Sequence, residues 1–229
     1  MKKIIHGNWK SFFYDDQIKL FFKLITFIVV ITTIWLSFNS SENYLYLFRV
    51  ATFNITSILT GTGYSSFNFS LWGGFGLVVM FVIMFIGGCA GSTTGGVKIF
   101  RLQLLFRAAQ SQIKKLTQPH GVFVTTFNQK TVAEDTFNSV MGFFFMYILI
   151  FIIAAFLLSF LGLDFLTAIS ASASAISNVG PGLGDTIGPS GNYSSLPNQA
   201  KWILSITMLV GRLEIFTFLV LLSVSFWKK

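Results

Sequence analysis

Four long apolar stretches, near residues 20–38, 72–99, 137–161 and 200–227, limit what this chain can fold into. A helix needs roughly 20 apolar residues to cross the hydrocarbon core of a bilayer, and each stretch is close to that length or beyond it. Inside a bilayer every backbone N–H and C=O must find a partner within the protein, so apolar spans of this length fold as helices. Composition agrees: 53% of the residues are hydrophobic and 10% are charged, against about a quarter charged in a soluble domain. The expected class is an all-α integral membrane protein.

Charge sets the expected topology. Lys2, Lys3, Lys10, Lys19 and Lys23 precede or enter the first span. Lys98, Arg101, Arg107, Lys114, Lys115 and Lys130 lie between the second and third, and Lys228 and Lys229 end the chain. The other two inter-span segments hold only Arg49 and Lys201. The positive-inside rule then places both termini and the segment 101–135 in the cytoplasm. The net charge of +8 is spent on flanking the spans, so no nucleic-acid partner is expected. The mixed-charge residues ahead of the first span, with no small-residue cleavage site after it, predict that it is not a cleavable signal. Cys89 is the only cysteine. It allows no intrachain disulfide and no cysteine-based metal site, and is expected to be a small apolar helix residue.

The two outer connections are too apolar for ordinary loops. Residues 47–59 (LFRVATFNITSIL) and 165–177 (FLTAISASASAIS) suit helices too short to cross. Such segments enter and leave on one side, and their non-helical ends are tolerated at membrane depth only where they line a cavity or are buried in protein. Each is followed by a glycine-centred turn: Thr60-Gly61-Thr62-Gly63-Tyr64 in one, Asn178-Val179-Gly180-Pro181-Gly182 in the other. Helix, half-helix, glycine turn, helix therefore occurs twice, in the same orientation. The repeats are parallel rather than inverted. Successive backbone carbonyls aimed at one axis can replace the hydration shell of a cation, glycine permits the φ values such a strand needs, and a half-helix C-terminus adds partial negative charge. Neither segment contains a carboxylate, which favours carbonyl coordination over a charged ring. GTGYSS does not fit G-x-G-x-x-G and no strand precedes it, which argues against a dinucleotide site.

Four motifs in order carry a family resemblance: LTGTGY at 59–64, FIGGCAGSTTGGVK at 85–98, SNVGPGLG at 177–184 and GRLEIF at 211–216. With them the chain resembles the C-terminal half of Trk/Ktr/HKT-type potassium uptake proteins, most closely the bacterial Trk-like membrane subunit. The resemblance covers nearly the whole chain. It implies four M1–pore-helix–M2 repeats around one pseudo-fourfold pore in the plasma (inner) membrane, each giving one filter segment. Gly63 and Gly180 would be the filter glycines of the third and fourth repeats. The chain then divides into a cytoplasmic segment 1–17, a repeat 18–100, a basic linker 101–135 and a repeat 136–229. The ion would be K⁺, with Na⁺ the alternative, and no bound cofactor is expected. The missing half of the pore would come from a second chain or a homodimer. A cytosolic nucleotide-binding regulatory subunit is the other implied partner. The alternative is a non-conducting fragment or accessory subunit that assembles with a full-length transporter.

The second span carries Gly87, Gly88, Gly91, Ser92, Thr93, Thr94, Gly95 and Gly96. Glycine costs about 1 kcal/mol relative to alanine in a helix interior. Two readings stand: a small-xxx-small packing face through Gly87, Gly91 and Gly95, or a break near the cytoplasmic half of the pore. The resemblance favours the break, as a flexible gating loop. Lys98 is displaced from the glycines and is not followed by Ser or Thr, so this is no phosphate-binding loop. Arg212 sits mid-way in the last span, where an arginine costs about 2.5–3.5 kcal/mol on insertion scales and needs a partner or water. Glu214, two residues on, points elsewhere on a helix. The resemblance gives Arg212 a place at the pore beside the glycine-rich loop. The spans offer no His/Asp/Glu cluster or paired carboxylates, so an enzyme is not expected. Asn39, Asn54, Asn68 and Asn192 each begin an N-x-S/T triplet, and His6 and His120 stand alone in polar segments.

Overall fold

A computed structural model gives the fold and describes residues 15–118, 121, 126–127, 130–213, 215–222 and 224–227. His6, His120, Glu214 and the lysines at both ends lie outside them. Eight helices of eight or more residues order the described chain: α1 (Asp16–Asn39), α2 (Tyr44–Leu59), α3 (Gly73–Met84), α4 (Ile99–Thr117), α5 (Glu134–Phe160), α6 (Phe165–Ser177), α7 (Asn198–Arg212) and α8 (Ile215–Leu222). One two-residue antiparallel ladder, Thr126–Phe127 with Lys130–Thr131, lies between α4 and α5.

The two longest helices, α1 and α5, are long and apolar enough to cross a membrane. At 1.5 Å per residue, α1 spans about 36 Å. Both expose large apolar side chains along their lengths, among them Phe27 and Phe38 on α1 and Phe156 and Phe160 on α5. Such faces are stable against lipid and costly in water. After each, a short connection returns the chain into a shorter helix, as expected for re-entrant segments. Asn43 caps α2 by accepting from Leu45 N at 3.0 Å, and Asp164 caps α6 by accepting from Thr167 N at 3.1 Å. These side chains satisfy N–H groups that the first turn leaves without partners.

Helix α6 is the centre of the fold. Every residue from Ser170 to Ser177 is buried. Its alternating serines and alanines are small enough for α5, α7 and α3 to pack around it, the packing rule for helices that meet closely in a membrane. Each serine then needs a buried partner. Ser172 Oγ donates to Phe151 O at 2.8 Å, and Ser177 Oγ pairs with Tyr147 Oη at 2.6 Å. Tyr147→Phe leaves the buried Ser177 hydroxyl without that partner. It is expected to lower stability by about 1–3 kcal/mol, read from thermal unfolding in detergent with the fold otherwise retained.

The second span differs from a continuous helix over 72–99. Helix α3 ends at Met84, and residues 85–98 form a loop before α4 begins at Ile99. Of the two readings the break is the one adopted, and a continuous packing face is not. The physical reason is steric. A Cβ on Gly87 would stand 2.3 Å from Gly95 O, and Gly96 has φ +73, a conformation that only glycine adopts freely. Cys89 accordingly lies in this loop and not in a helix. The last span is also interrupted: α7 stops at Arg212 and α8 starts at Ile215. The basic segment 101–135 begins within helix α4. Helix α4 packs on α1 and α5, with Arg107 joined to Asp16 at 3.0 Å and the Arg101 guanidinium 3.9 Å above the Phe143 ring. The four Asn-x-Ser/Thr sites are built into the fold: Asn39 donates to Trp35 O, Asn54 is fully buried, and Asn68 and Asn192 cap short turns.

Candidate functional site

The two glycine turns are the same structure made twice. Beyond the C-terminus of α2, Gly61 N donates to Ile58 O at 3.0 Å and Thr62 N to Ser57 O at 2.9 Å. Beyond α6, Asn178 N donates to Ala175 O at 3.1 Å and Val179 N to Ser174 O at 3.0 Å. Gly61 and Asn178 both take positive φ, +65 and +54, and so do Gly63 and Gly180, at +78 and +116. Three residues further, a side chain of each of these helices accepts from the matching backbone N–H. Asn54 Oδ1 accepts from Ser66 N at 3.1 Å, and Ser170 Oγ accepts from Leu183 N at 3.0 Å. The turn residues and their backbone partners are 117 positions apart throughout, while the side-chain acceptors Asn54 and Ser170 are 116 apart, so the repeat seen in sequence is a repeat in backbone hydrogen bonding.

The turns also meet. A Cβ on Gly63 would stand 2.3 Å from Val179 O and 3.3 Å from Pro181 Cδ, while the nearest atom to a Cβ on Gly180 would be Gly63 Cα at 3.7 Å. Thr60 Oγ1 bonds back to Thr56 O at 2.7 Å and pairs with Thr62 Oγ1 at 2.8 Å, which stiffens the first turn. Tyr64 is mostly exposed. Gly182 N donates to Ile187 O at 2.7 Å, placing Gly182 where the chain leaves the second turn. Both turns stand at helix C-termini, where orphaned carbonyls give partial negative charge. Asp164, at the opposite end of α6, is held below the usual carboxylate range by hydrogen bonds from the Thr167 side chain and N–H, against a smaller upward push from burial.

The glycine-rich loop lies against these turns. Its neck is closed by a bridge between Ile86 and Val97, with Gly87 N to Val97 O at 2.9 Å and Val97 N to Phe85 O at 2.8 Å. Within it, Thr94 Oγ1 accepts from Gly88 N at 2.9 Å and pairs with Ser92 Oγ at 2.7 Å. Thr94 Cγ2 would be 3.8 Å from a Cβ on Gly61, and a Cβ on Gly95 would meet Ser177 O at 2.1 Å. Gly91, at φ +84, faces open space. Among the described residues, hydrogen bonds from outside also tie the loop: Gln17 Oε1 accepts from Ala90 N at 2.9 Å, and Arg212 Nη1 donates to Thr93 O. An open cavity of about 160 Å³ lies here, lined by Thr93, Thr94, Gly95, Lys98, Arg101 and Arg212 among others. The loop has a closed neck at Ile86 and Val97 and hydrogen bonds to Gln17 and Arg212. The sequence reading had Arg212 near the loop; it did not contain Gln17, whose signal is only a polar residue at the start of an apolar helix.

The family model described as TrkH, cation transport protein, matches residues 18–229. The chain belongs to this family. It is 42% identical over 227 residues to the Trk system potassium uptake protein TrkI of Halomonas elongata, covering 99% of this chain and 46% of that protein. It is 35% identical over 221 residues to the Trk system potassium uptake protein TrkH of Escherichia coli K12, covering 96% of this chain and 45% of that one. The crystal structure of the potassium transporter TrkH from Vibrio parahaemolyticus matches with a TM-score of 0.88 at 33% identity, over 96% of this chain and 47% of that chain. This TrkH-family chain therefore spans about half the length of the curated relatives it matches. Its all-α fold, with two helix–half-helix–helix repeats, is that of the TrkH structure, and a membrane is where such a protein resides.

Proposed function

We propose that this chain supplies two filter segments and one gating loop to a pore for K⁺, with Na⁺ the alternative ion. The carrying observation is the pair of matched turns. Both present backbone at the C-termini of re-entrant helices, and the first abuts the second through Gly63 and Val179. Backbone oxygens in such turns replace the water lost by a monovalent cation. Thr60, Gly61, Thr62, Gly63 and Tyr64 form one segment, and Asn178, Val179, Gly180, Pro181 and Gly182 the other. The loop 87–96, held by Arg212, is the gate beneath them.

Two turns do not close a ring, so this reading needs two further segments besides those in residues 1–229, from whichever chain carries them. The basic residues of the segment between the second and third spans support a cytoplasmic position for that end and for both termini at the inner membrane. A cytosolic nucleotide-binding subunit is the regulatory partner that would dock there. The chain has no enzymatic role in this reading, and K⁺ is cargo rather than a resident cofactor.

The test is growth at limiting K⁺ of a cell lacking its own K⁺ uptake. The chain is expressed alone, or with a chain carrying two further repeats. Rescue by the pair, or by the chain alone, together with ⁸⁶Rb⁺ uptake in purified liposomes, is the expected result. A chain that enters the membrane, binds a full-length transporter and conducts in neither setting would instead be an accessory subunit.

A further inference from the structure

The two turns match in their backbone and differ in what stands behind them. Ser57 and Ser174 occupy the same position in the two repeats, each accepting a turn N–H on its carbonyl. Ser57 Oγ is buried with no hydrogen-bond partner among the described residues. Ser174 Oγ is fully engaged: it accepts from Gly180 N at 3.1 Å and donates to Gly180 O at 2.9 Å. A second hydroxyl reaches the same carbonyl, since Tyr193 Oη donates to Gly180 O at 2.9 Å. A carbonyl oxygen has two lone pairs, and here both are taken by the protein. The Gly180 carbonyl is thereby held by two hydroxyls, and its N–H is held by Ser174.

Tyr193 is brought to this place by a built loop. Asn192 N donates to Thr186 O at 3.1 Å, Asn192 Oδ1 accepts from Ser194 N at 2.9 Å, and Lys201 Nζ donates to Ser194 O at 2.7 Å. Leu196, three residues on, is buried with Ile187 and Ala200. The ring is therefore anchored on both sides of the residue.

The geometry points to Tyr193 and Ser174 as positioning residues that brace the second segment from behind. They set the direction in which the Asn178 and Val179 carbonyls face the ion and make the two segments unequal in stiffness. The first segment rests on Gly63 lying against Val179 and so depends on the braced one. Selectivity between K⁺ and Na⁺ depends on the carbonyl oxygens that replace the ion's hydration shell, and the brace limits how far the backbone carrying them can move on this side of the pore. The inference rests on the pore reading above.

The experiment compares K⁺ and Na⁺ uptake in liposomes holding the chain in its conducting assembly. Tyr193→Phe keeps the ring and removes the hydroxyl, while Ser174→Ala removes the other donor. Each is expected to lower the K⁺/Na⁺ uptake ratio at least threefold at unchanged abundance. Ser57→Ala is expected to change it less than Ser174→Ala. The ratio is the readout because general loss of packing lowers both fluxes together. If Gly63→Ala shifts the ratio and neither Tyr193→Phe nor Ser174→Ala does, the brace is overturned and the pore reading stands. Equal ratios in all these variants overturn both.

Discussion

Gly63→Ala is expected to reduce K⁺ uptake at least tenfold at equal protein abundance, with loss of K⁺/Na⁺ discrimination in what remains. Two costs coincide at this position. The residue has φ +78, where an L-side chain pays roughly 1–2 kcal/mol. Its Cβ would also stand 2.3 Å from Val179 O. That neighbour is backbone of the other turn, not the end of a flexible side chain, so relief requires one turn to move off the other. Damage in one segment therefore reaches the second. Gly73→Ala separates the costs, because Gly73 has φ +74 with nothing within 4 Å of a Cβ. It should lose stability of the same order as the strain alone and keep its ion preference. The measurement is paired ⁸⁶Rb⁺ and ²²Na⁺ uptake, with thermal unfolding alongside. A Gly63→Ala protein with wild-type uptake and ratio would remove Gly63 from the filter.

The contrast between Gly63 and Gly73 also marks what a sequence conveys. The fold class was legible because length and polarity of apolar runs are set by the bilayer, and α1 and α5 follow them closely. The re-entrant helices were legible for the complementary reason: α2 and α6 are apolar yet too short to cross. The local geometry of the two turns was legible where backbone conformation dictates residue type, as at Gly61, Gly63 and Gly180. It was not legible where the contact is made across the fold. Ser57 and Ser174 look alike in sequence, and only a loop returning 13 residues after Gly180 gives one of them a tyrosine to share a carbonyl with. The break after Met84 was legible in the glycines of 87–96 rather than in hydropathy, which does not register the close approach of Gly87 to Gly95. The α4 helix was hidden by its charge: Arg101 and Arg107 read as loop cations, yet one lies on the Phe143 ring and the other pairs with Asp16.

Arg212→Ala is expected to raise basal ion flux about tenfold or more in an otherwise competent assembly. Arg212 donates to Thr93 O at the crown of the glycine-rich loop. A hydrogen bond from a charged donor contributes about 1.5–3 kcal/mol, and 1.4 kcal/mol corresponds to a factor of ten in an equilibrium. If the loop as seen is the closed arrangement, removing the bond shifts population toward a displaced loop by at least that factor. The glycines make displacement inexpensive: Gly91 faces open space, and the crown lies outside the closed neck at Ile86 and Val97. Gln17→Ala removes the other tie, at Ala90 N, and should produce a smaller rise because its donor and acceptor are neutral. The pair should be more open than either alone, since the two ties hold different residues of one loop. Arg212→Lys keeps the charge on a thinner, more flexible stem and should fall between wild type and Arg212→Ala. Flux is read as ⁸⁶Rb⁺ efflux from loaded liposomes at matched abundance. Unaltered flux in both Arg212→Ala and Gln17→Ala would mean that the loop does not occlude the pathway, and the gate would then have to lie elsewhere in the assembly.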